Sequence, residues 1–349
     1  MISPARQTAF DVLRKVHQGG YASDLLLQRS AALDSRDAGL ASEIVFGCLR
    51  YQAQLDYLIA RRVPRPPEPE VQIALRMGIY QLRYLDRIPP HAAVGESVEL
   101  VKRAHKASAA GLVNAILRKT DRQPVPWPDR ATDLSMPPWL LERWDRQFGR
   151  KTANQIAAAF LEPAETHVAS TGRIQDIGAQ SIVPFLDLHS GQTFLDLCAA
   201  PGNKTAQAIE CGVRAVACDI HWHRLKQMHD LKCPLVVLDG TQPLPFRAKF
   251  DRILIDAPCS GTGTLGRNPE IKWRLQPSDL TDLHAKQVAL VRQAMEYLCP
   301  GGRLVYSTCS LEPEENQQVI QEIPGPWQTS ERLPGLNPGD GFFVAVCSR

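Results

Sequence analysis

Residues 193–205 read Thr193-Phe194-Leu195-Asp196-Leu197-Cys198-Ala199-Ala200-Pro201-Gly202-Asn203-Lys204-Thr205. The first five form a short, mostly apolar strand candidate, the next six are small or turn-forming, and a helical stretch follows. Small residues at a strand-to-helix turn let the backbone approach a ligand, and the helix start offers amide donors. The turn is neither GxxxxGK[ST] nor GxGxxG, so it is not built for a triphosphate or a pyrophosphate. Downstream, strand candidates recur at Ala215–Asp219, Leu235–Leu238, Arg252–Ile255, Arg303–Ser307 and Phe342–Cys347, with helical stretches between several of them, most clearly Leu280–Leu298. That alternation predicts a doubly wound α/β domain.

In such a sheet the loops after the strands share one edge, where ligands bind. Acidic residues end the strands. Asp219 lies 23 residues beyond Asp196, a position suited to ribose hydroxyls, and Asp239 follows the third strand. Together with Asp196 they suggest a nucleoside cofactor. The fourth strand runs into Asp256-Ala257-Pro258-Cys259-Ser260, and the fifth into Ser307-Thr308-Cys309-Ser310. Two thiols and a carboxylate at one edge suggest covalent catalysis. After Cys259 comes Gly261-Thr262-Gly263-Thr264-Leu265-Gly266, expected to be mobile or ligand-hugging. Arg267-Asn268-Pro269-Glu270-Ile271-Lys272-Trp273-Arg274 follows, with residue types that suit phosphate and base contacts. The chain has nine cysteines without CxxC spacing, so no metal site is expected. Cys48, Cys211, Cys218 and Cys347 are expected to serve packing alone.

Residues 4–122 have helical periodicity, for example Ala9, Leu13 and Val16, or Ile73, Met77 and Tyr80. An all-α bundle is predicted for 1–122. Residues 123–138 carry five prolines and read as a stiff linker. The second domain is placed at 139–349, opening with a helix over 139–160. The net charge of +3 divides unevenly. Residues 1–122 hold 18 Lys and Arg against 12 Asp and Glu, which favours a nucleic-acid-facing module. No apolar run approaches a membrane span, and the first residues lack a signal-peptide core, so a cytoplasmic protein without a membrane partner is expected.

Leu195–Thr205, Asp256–Arg274 and Ser307–Asn316 resemble the RNA cytosine-5 methyltransferases. Ala5–Leu13, Arg36–Ala41 and Val113–Arg118 resemble a NusB-type RNA-binding domain. The combination is similar to the Sun/RsmB (Fmu) family, which methylates 16S ribosomal RNA. The resemblance implies a NusB-like helical bundle followed by a Rossmann-like, class I S-adenosylmethionine-dependent methyltransferase domain. It implies S-adenosyl-L-methionine as cofactor, 16S rRNA as partner, and a monomer. From the residues alone the two cysteines are interchangeable. The resemblance makes Cys309 the nucleophile, Cys259 the thiol of product release, Asp256 the group at N3 of the base, and Lys204 an orienting group. Cys198, Ala199, Ala200, Pro201, Gly202, Asn203, Lys204, Asp219, Asp239 and Asp256 match its cofactor-binding positions. Asn203 stands where the family pattern has glycine. The RNA-binding subdomain normally ahead of the cofactor turn is expected to be shortened, around 147–190. Two other readings stay open: an RNA-binding assembly factor with a decayed catalytic domain, and a cytosine-5 methyltransferase of tRNA. Retention of both cysteines argues against the first, and the NusB-like domain against the second.

Overall fold

The computed structural model describes residues 2–169 and 172–349. They form two compact units, Met1–Glu162 with Leu265–Arg274, and Pro163–Thr264 with Leu275–Arg349. Ser170 and Thr171, within the stretch expected to be a shortened RNA-binding region, lie outside the described residues. Among the described residues no helix is long and apolar enough to cross a membrane.

The first unit is helical. Helices Pro4–His17, Ala22–Ser30, Ser35–Arg50, Gln52–Ala60, Pro69–Tyr84, Pro90–Arg103 and Ala110–Arg118 enclose a core that includes Phe10, Ile44, Leu55, Met77 and Leu100. Each such side chain contributes about 1.5–3 kcal/mol by leaving water. Prolines open three of these helices, where the missing amide hydrogen costs nothing. Asp34 caps Ser35–Arg50 by accepting from the Asp37 amide. Gly47 is required by packing, since a Cβ there would sit 1.9 Å from the Tyr80 ring.

The proline-rich stretch 123–138 packs within this unit and is no free spacer. Asp129 caps the short helix Arg130–Asp133, Arg130 grips the Asp145 carboxylate with two nitrogens at 2.7 and 2.8 Å, and Ser135 and Met136 are buried. The single helix expected over 139–160 is two, Pro138–Phe148 and Arg150–Ala159, broken at Gly149 where φ is +78°. These helices also belong to the first unit, which continues to Glu162, beyond the boundary expected at 139.

The stretch Leu265–Arg274 completes the same unit. The Glu270 carboxylate accepts from the Ala22 amide at 2.9 Å, and Trp273 Nε1 donates to the Leu49 carbonyl at 2.7 Å. Lys272 is 1 % exposed, and its Nζ donates to the Arg50 and Ser135 carbonyls. Lys272 and Trp273 therefore serve internal packing, and the expected phosphate and base contacts do not extend to them. A basic–aromatic pattern looks the same whether its partners are phosphates or main-chain carbonyls.

The second unit is built on one sheet. Its strands are β1 Thr193–Asp196, β2 Arg214–Asp219, β3 Leu235–Val237, β4 Phe250–Asp256, β5 Leu298–Thr308, β6 Gln328–Arg332 and β7 Phe342–Ser348. The order across the sheet is β3-β2-β1-β4-β5-β7-β6, parallel from β3 to β5, with β7 antiparallel to both its neighbours. Both faces are covered. Leu195, Ile253, Ile255, Leu304 and Tyr306 face a layer that includes Val288, Val291 and Ala294 of helix Pro277–Glu296. The intervening Phe194, Leu254 and Val305 face Ile182, Leu186 and Ala208. Strands buried on both sides read as continuous apolar runs, which made most of them visible in the sequence. The chain leaves β1 toward β2 on one side and later fills β4 on the other. The carboxyl ends of β1 and β4 thus flank the switch point where such sheets bind ligands.

Candidate active site

The turn after β1 is held against the end of β2. The Ala199 amide donates to the Cys218 carbonyl at 2.7 Å, the Ala200 amide to Asp219 Oδ2 at 3.3 Å, and Arg224 to the Ala200 carbonyl at 3.0 Å. Asp219 Oδ1 accepts from the His221 amide, so the carboxylate is fixed. Gly202 has φ +106°, and a Cβ there would lie 2.8 Å from Met228, so glycine is required twice over. Asn203 opens the helix Asn203–Ile209, and the left-handed residue is its neighbour Gly202. The departure from the family pattern at Asn203 therefore strains nothing. Cys198 lines this turn, its thiol pushed up by burial and by Asp196, Asp256 and Asp219. Asp239 is exposed and accepts from the amide and hydroxyl of Thr241.

Burial pushes the Asp196 carboxyl up to about 7; the Thr205 hydroxyl at 2.7 Å opposes this, and the charge of Asp256 adds to it. Its Oδ1 is buried without a hydrogen-bond partner among the described residues.

Lys204, in the first turn of its helix, donates from Nζ to Asp256 Oδ2 at 2.6 Å, and the Ser307 hydroxyl donates to Oδ1 at 2.9 Å. Burial works against the ammonium, but the charge of Asp256 and its hydrogen bond outweigh it, so the proton stays on Lys204 more firmly than usual. The ring of Phe342 lies 5.4 Å below Nζ.

The two thiols meet because of strand register. Asp256 of β4 pairs with Ser307 of β5, so both loops start level. The Cys259 and Cys309 sulfurs are 3.4 Å apart, both free thiols. The hydrogen bond with Cys309, burial, and the charges of Cys309, Glu315 and Asp256 all push the Cys259 thiol well up, so it holds its proton. The glycine-rich loop behind Cys259 is buried and hydrogen-bonded, which excludes the mobile alternative of the two expected, mobile or ligand-hugging. The Gly263 amide donates to the Cys309 carbonyl and the Gly341 amide to the Gly263 carbonyl, each at 2.8 Å, and a Cβ at Gly263 would meet the latter loop at 2.4 Å. Among the cysteines expected to serve packing, Cys48, Cys218 and Cys347 are buried, whereas Cys211 is exposed, in the turn after helix Asn203–Ile209.

The sequence reading missed the polar groups between the two thiol loops: Ser260, Ser310 and Glu315. They are buried and bonded to one another.

The donor set fits S-adenosylmethionine. Asp219 presents a fixed carboxylate for hydroxyls, the Cys198–Gly202 turn lets the backbone come close, and Asp196 Oδ1 is an orphan acceptor. The sheet order and this switch-point site define a class I S-adenosylmethionine-dependent methyltransferase domain. Residues 183–331 match the 16S rRNA methyltransferase RsmB/F family, and residues 3–122 match the NusB family. The ribosomal RNA small subunit methyltransferase B of Klebsiella pneumoniae (strain 342) is 32% identical, with 95% of this chain and 94% of that protein covered. Its counterpart in Escherichia coli O17:K52:H18 is also 32% identical, with 95% of each covered. These alignments run over 407 positions, more than the 349 residues here, so the relatives carry residues that this chain lacks. The crystal structure of PH0851 superposes with a TM-score of 0.80 at 19% identity, covering 100% of this chain and 99% of that one. At that identity the likeness concerns the fold alone. The chain belongs to the RsmB/F family of 16S rRNA methyltransferases.

Proposed function

We propose that this protein methylates C5 of a cytosine in 16S rRNA through a covalent adduct between Cys309 and C6, acting as a cytoplasmic monomer. The observation that carries this reading is the 3.4 Å approach of the two sulfurs at the loops that follow Asp256 and Ser307. Cytosine C5 is a poor nucleophile. The Cys309 thiolate adds at C6, a C–S bond forms, and the ring electrons move toward C5. S-adenosylmethionine, when bound, supplies an electrophilic methyl on a sulfonium sulfur. Asp256 holds N3, and a hydrogen bond or proton there eases the addition. Lys204, 2.6 Å from Asp256, keeps that carboxylate in place and is the proton donor nearest to it. With the methyl on C5, the C5 proton passes to water, and the electron pair left behind expels the Cys309 thiolate from C6. Cys259, which retains its proton, donates to the departing sulfur and so assists release. The cofactor is held by Cys198–Lys204, Asp219, Asp239 and Asp256. The base must leave its stack to reach these groups.

The test uses the full-length protein with labelled cofactor and separated 16S rRNA and tRNA. Label is expected in 16S rRNA, at C5 of cytosine. Label in tRNA, or none in any RNA, overturns the reading, the second outcome in favour of an assembly factor. Cys309→Ala should abolish transfer, and Cys259→Ala should accumulate a denaturation-resistant RNA adduct. An adduct that persists in Cys309→Ala reverses the two roles.

A further inference from the structure

Glu315 carries a fully buried carboxylate, and among the described residues none of its hydrogen-bond donors is a cation. Oε1 accepts from the Ser260 amide at 2.8 Å and from Gln287 Nε2 at 3.1 Å. Oε2 accepts from the hydroxyls of Ser260 and Ser310. Ser260 follows Cys259, and Ser310 follows Cys309. One carboxylate therefore holds the residue after each thiol, on loops leaving two different strands. Gln287 also donates to the Pro258 carbonyl at 2.9 Å, so the Cys259 backbone is fixed on both sides.

A neutral side chain would tie the loops with less desolvation, because a buried charge without a counter-charge is costly even when hydrogen-bonded. The charge has a second effect. It adds to the groups that keep the proton on Cys259, whose other charged neighbours are Cys309 and Asp256. A protonated Cys259 can donate to the Cys309 sulfur, 3.4 Å away. We infer that Glu315 is a positioning residue for the reaction proposed above, its carboxylate clamping the two thiol loops together and setting which sulfur attacks and which assists release. The inference deepens the reading above and rests on it.

The test is site-resolved alkylation of the full-length protein by iodoacetamide, with peptide mapping of Cys259 and Cys309, beside steady-state methyl transfer. In Glu315→Gln the ratio of Cys259 to Cys309 alkylation should rise about tenfold or more, the size of one pKa unit. The kcat should fall about tenfold or more while KM for S-adenosylmethionine stays within about twofold, the pattern of lost positioning. If Glu315→Gln does not fold, Ser260→Ala and Ser310→Ala each remove one arm and should shift the ratio in the same direction by less. A ratio unchanged in the folded variants overturns the inference, and so does a changed ratio with unchanged kcat. Alkylation needs no RNA, so this failure is distinct from the wild-type protein failing to methylate 16S rRNA.

Discussion

Lys204 in the sheet unit is largely buried and Lys272 in the helical unit fully so, and their ammonium groups meet opposite surroundings. Lys204 has a carboxylate at 2.6 Å and is held more firmly in its charged form. Lys272 donates to two carbonyls at 2.8 and 2.9 Å, with no carboxylate pairing it among the described residues. Burial and then the charge of Arg50 push it down to about 7. Each ammonium also lies over an aromatic ring, Phe342 at 5.4 Å for Lys204 and Trp273 at 5.3 Å for Lys272, so the carboxylate is what separates them. The first lysine is paired with a carboxylate beside the two thiol loops, and the second works as a hydrogen-bonding plug.

The largest expected effect follows from that division. Lys204→Met leaves Asp256 without its cation, and methyl transfer at saturating substrate should fall about 100-fold or more, as when a preorganised charge is removed from a site. Lys272→Met, assayed where both variants remain folded, should stay within about threefold of the parent. Equal losses in the two variants would break the comparison.

A smaller effect concerns stability. Lys272→Met strips two carbonyls of their donor, a loss of about 1–3 kcal/mol when the parent lysine is neutral. The folded-state value of about 7 lies below the ordinary 10.5. Between these the unfolded chain binds more protons, so the parent gains stability as pH rises through this window. The variant lacks that gain, and its deficit in urea unfolding should be larger at pH 9 than at pH 6.5. A deficit independent of pH would show that Lys272 stays charged.

Asp196 sharpens the same comparison with the sign reversed. Its folded value of about 7 lies above the ordinary 3.8. The folded chain binds more protons between these values, so the parent loses stability as pH rises from 3.8 to 7. Asp196→Asn escapes that loss. Relative to the parent it should gain about 2–3 kcal/mol between pH 5 and pH 8, read from thermal midpoints without ligand. Parallel curves for the two proteins would remove Asp196 from the set of unpaired buried charges.

The sheet was legible because its central strands are apolar on both faces. β6, Gln328–Arg332, was not: its residues are polar and mostly exposed, as an edge strand allows, and among the described residues it pairs with β7 alone. At the site, Asp256, Cys259 and Cys309 stood out because each ends or follows an apolar strand, whereas Lys204 was marked by the family resemblance alone; the fold brings all four to the ends of neighbouring strands. Glu315 lies within Ser307–Asn316, a segment that carries the family resemblance, but its sequence alone does not single it out from Glu312 and Glu314. Its burial arises only when residues 258–260, 287 and 310 converge on it, and no local pattern encodes that. The packing role of Lys272 was hidden for the same reason: its partners, Arg50 and Ser135, are far away in the chain.

The discontinuity of the helical unit also fixes an order of events during synthesis. A ribosome that has made residue 162 must add roughly a hundred more before Leu265–Arg274 exists. At ~5–20 residues per second that is a wait of roughly 5–20 s. Throughout it, the Ala22 amide and the Leu49, Arg50 and Ser135 carbonyls face water or whatever else is at hand. The nascent bundle is a receptor awaiting its own peptide, and a fragment ending at 162 should bind residues 265–274 added in trans.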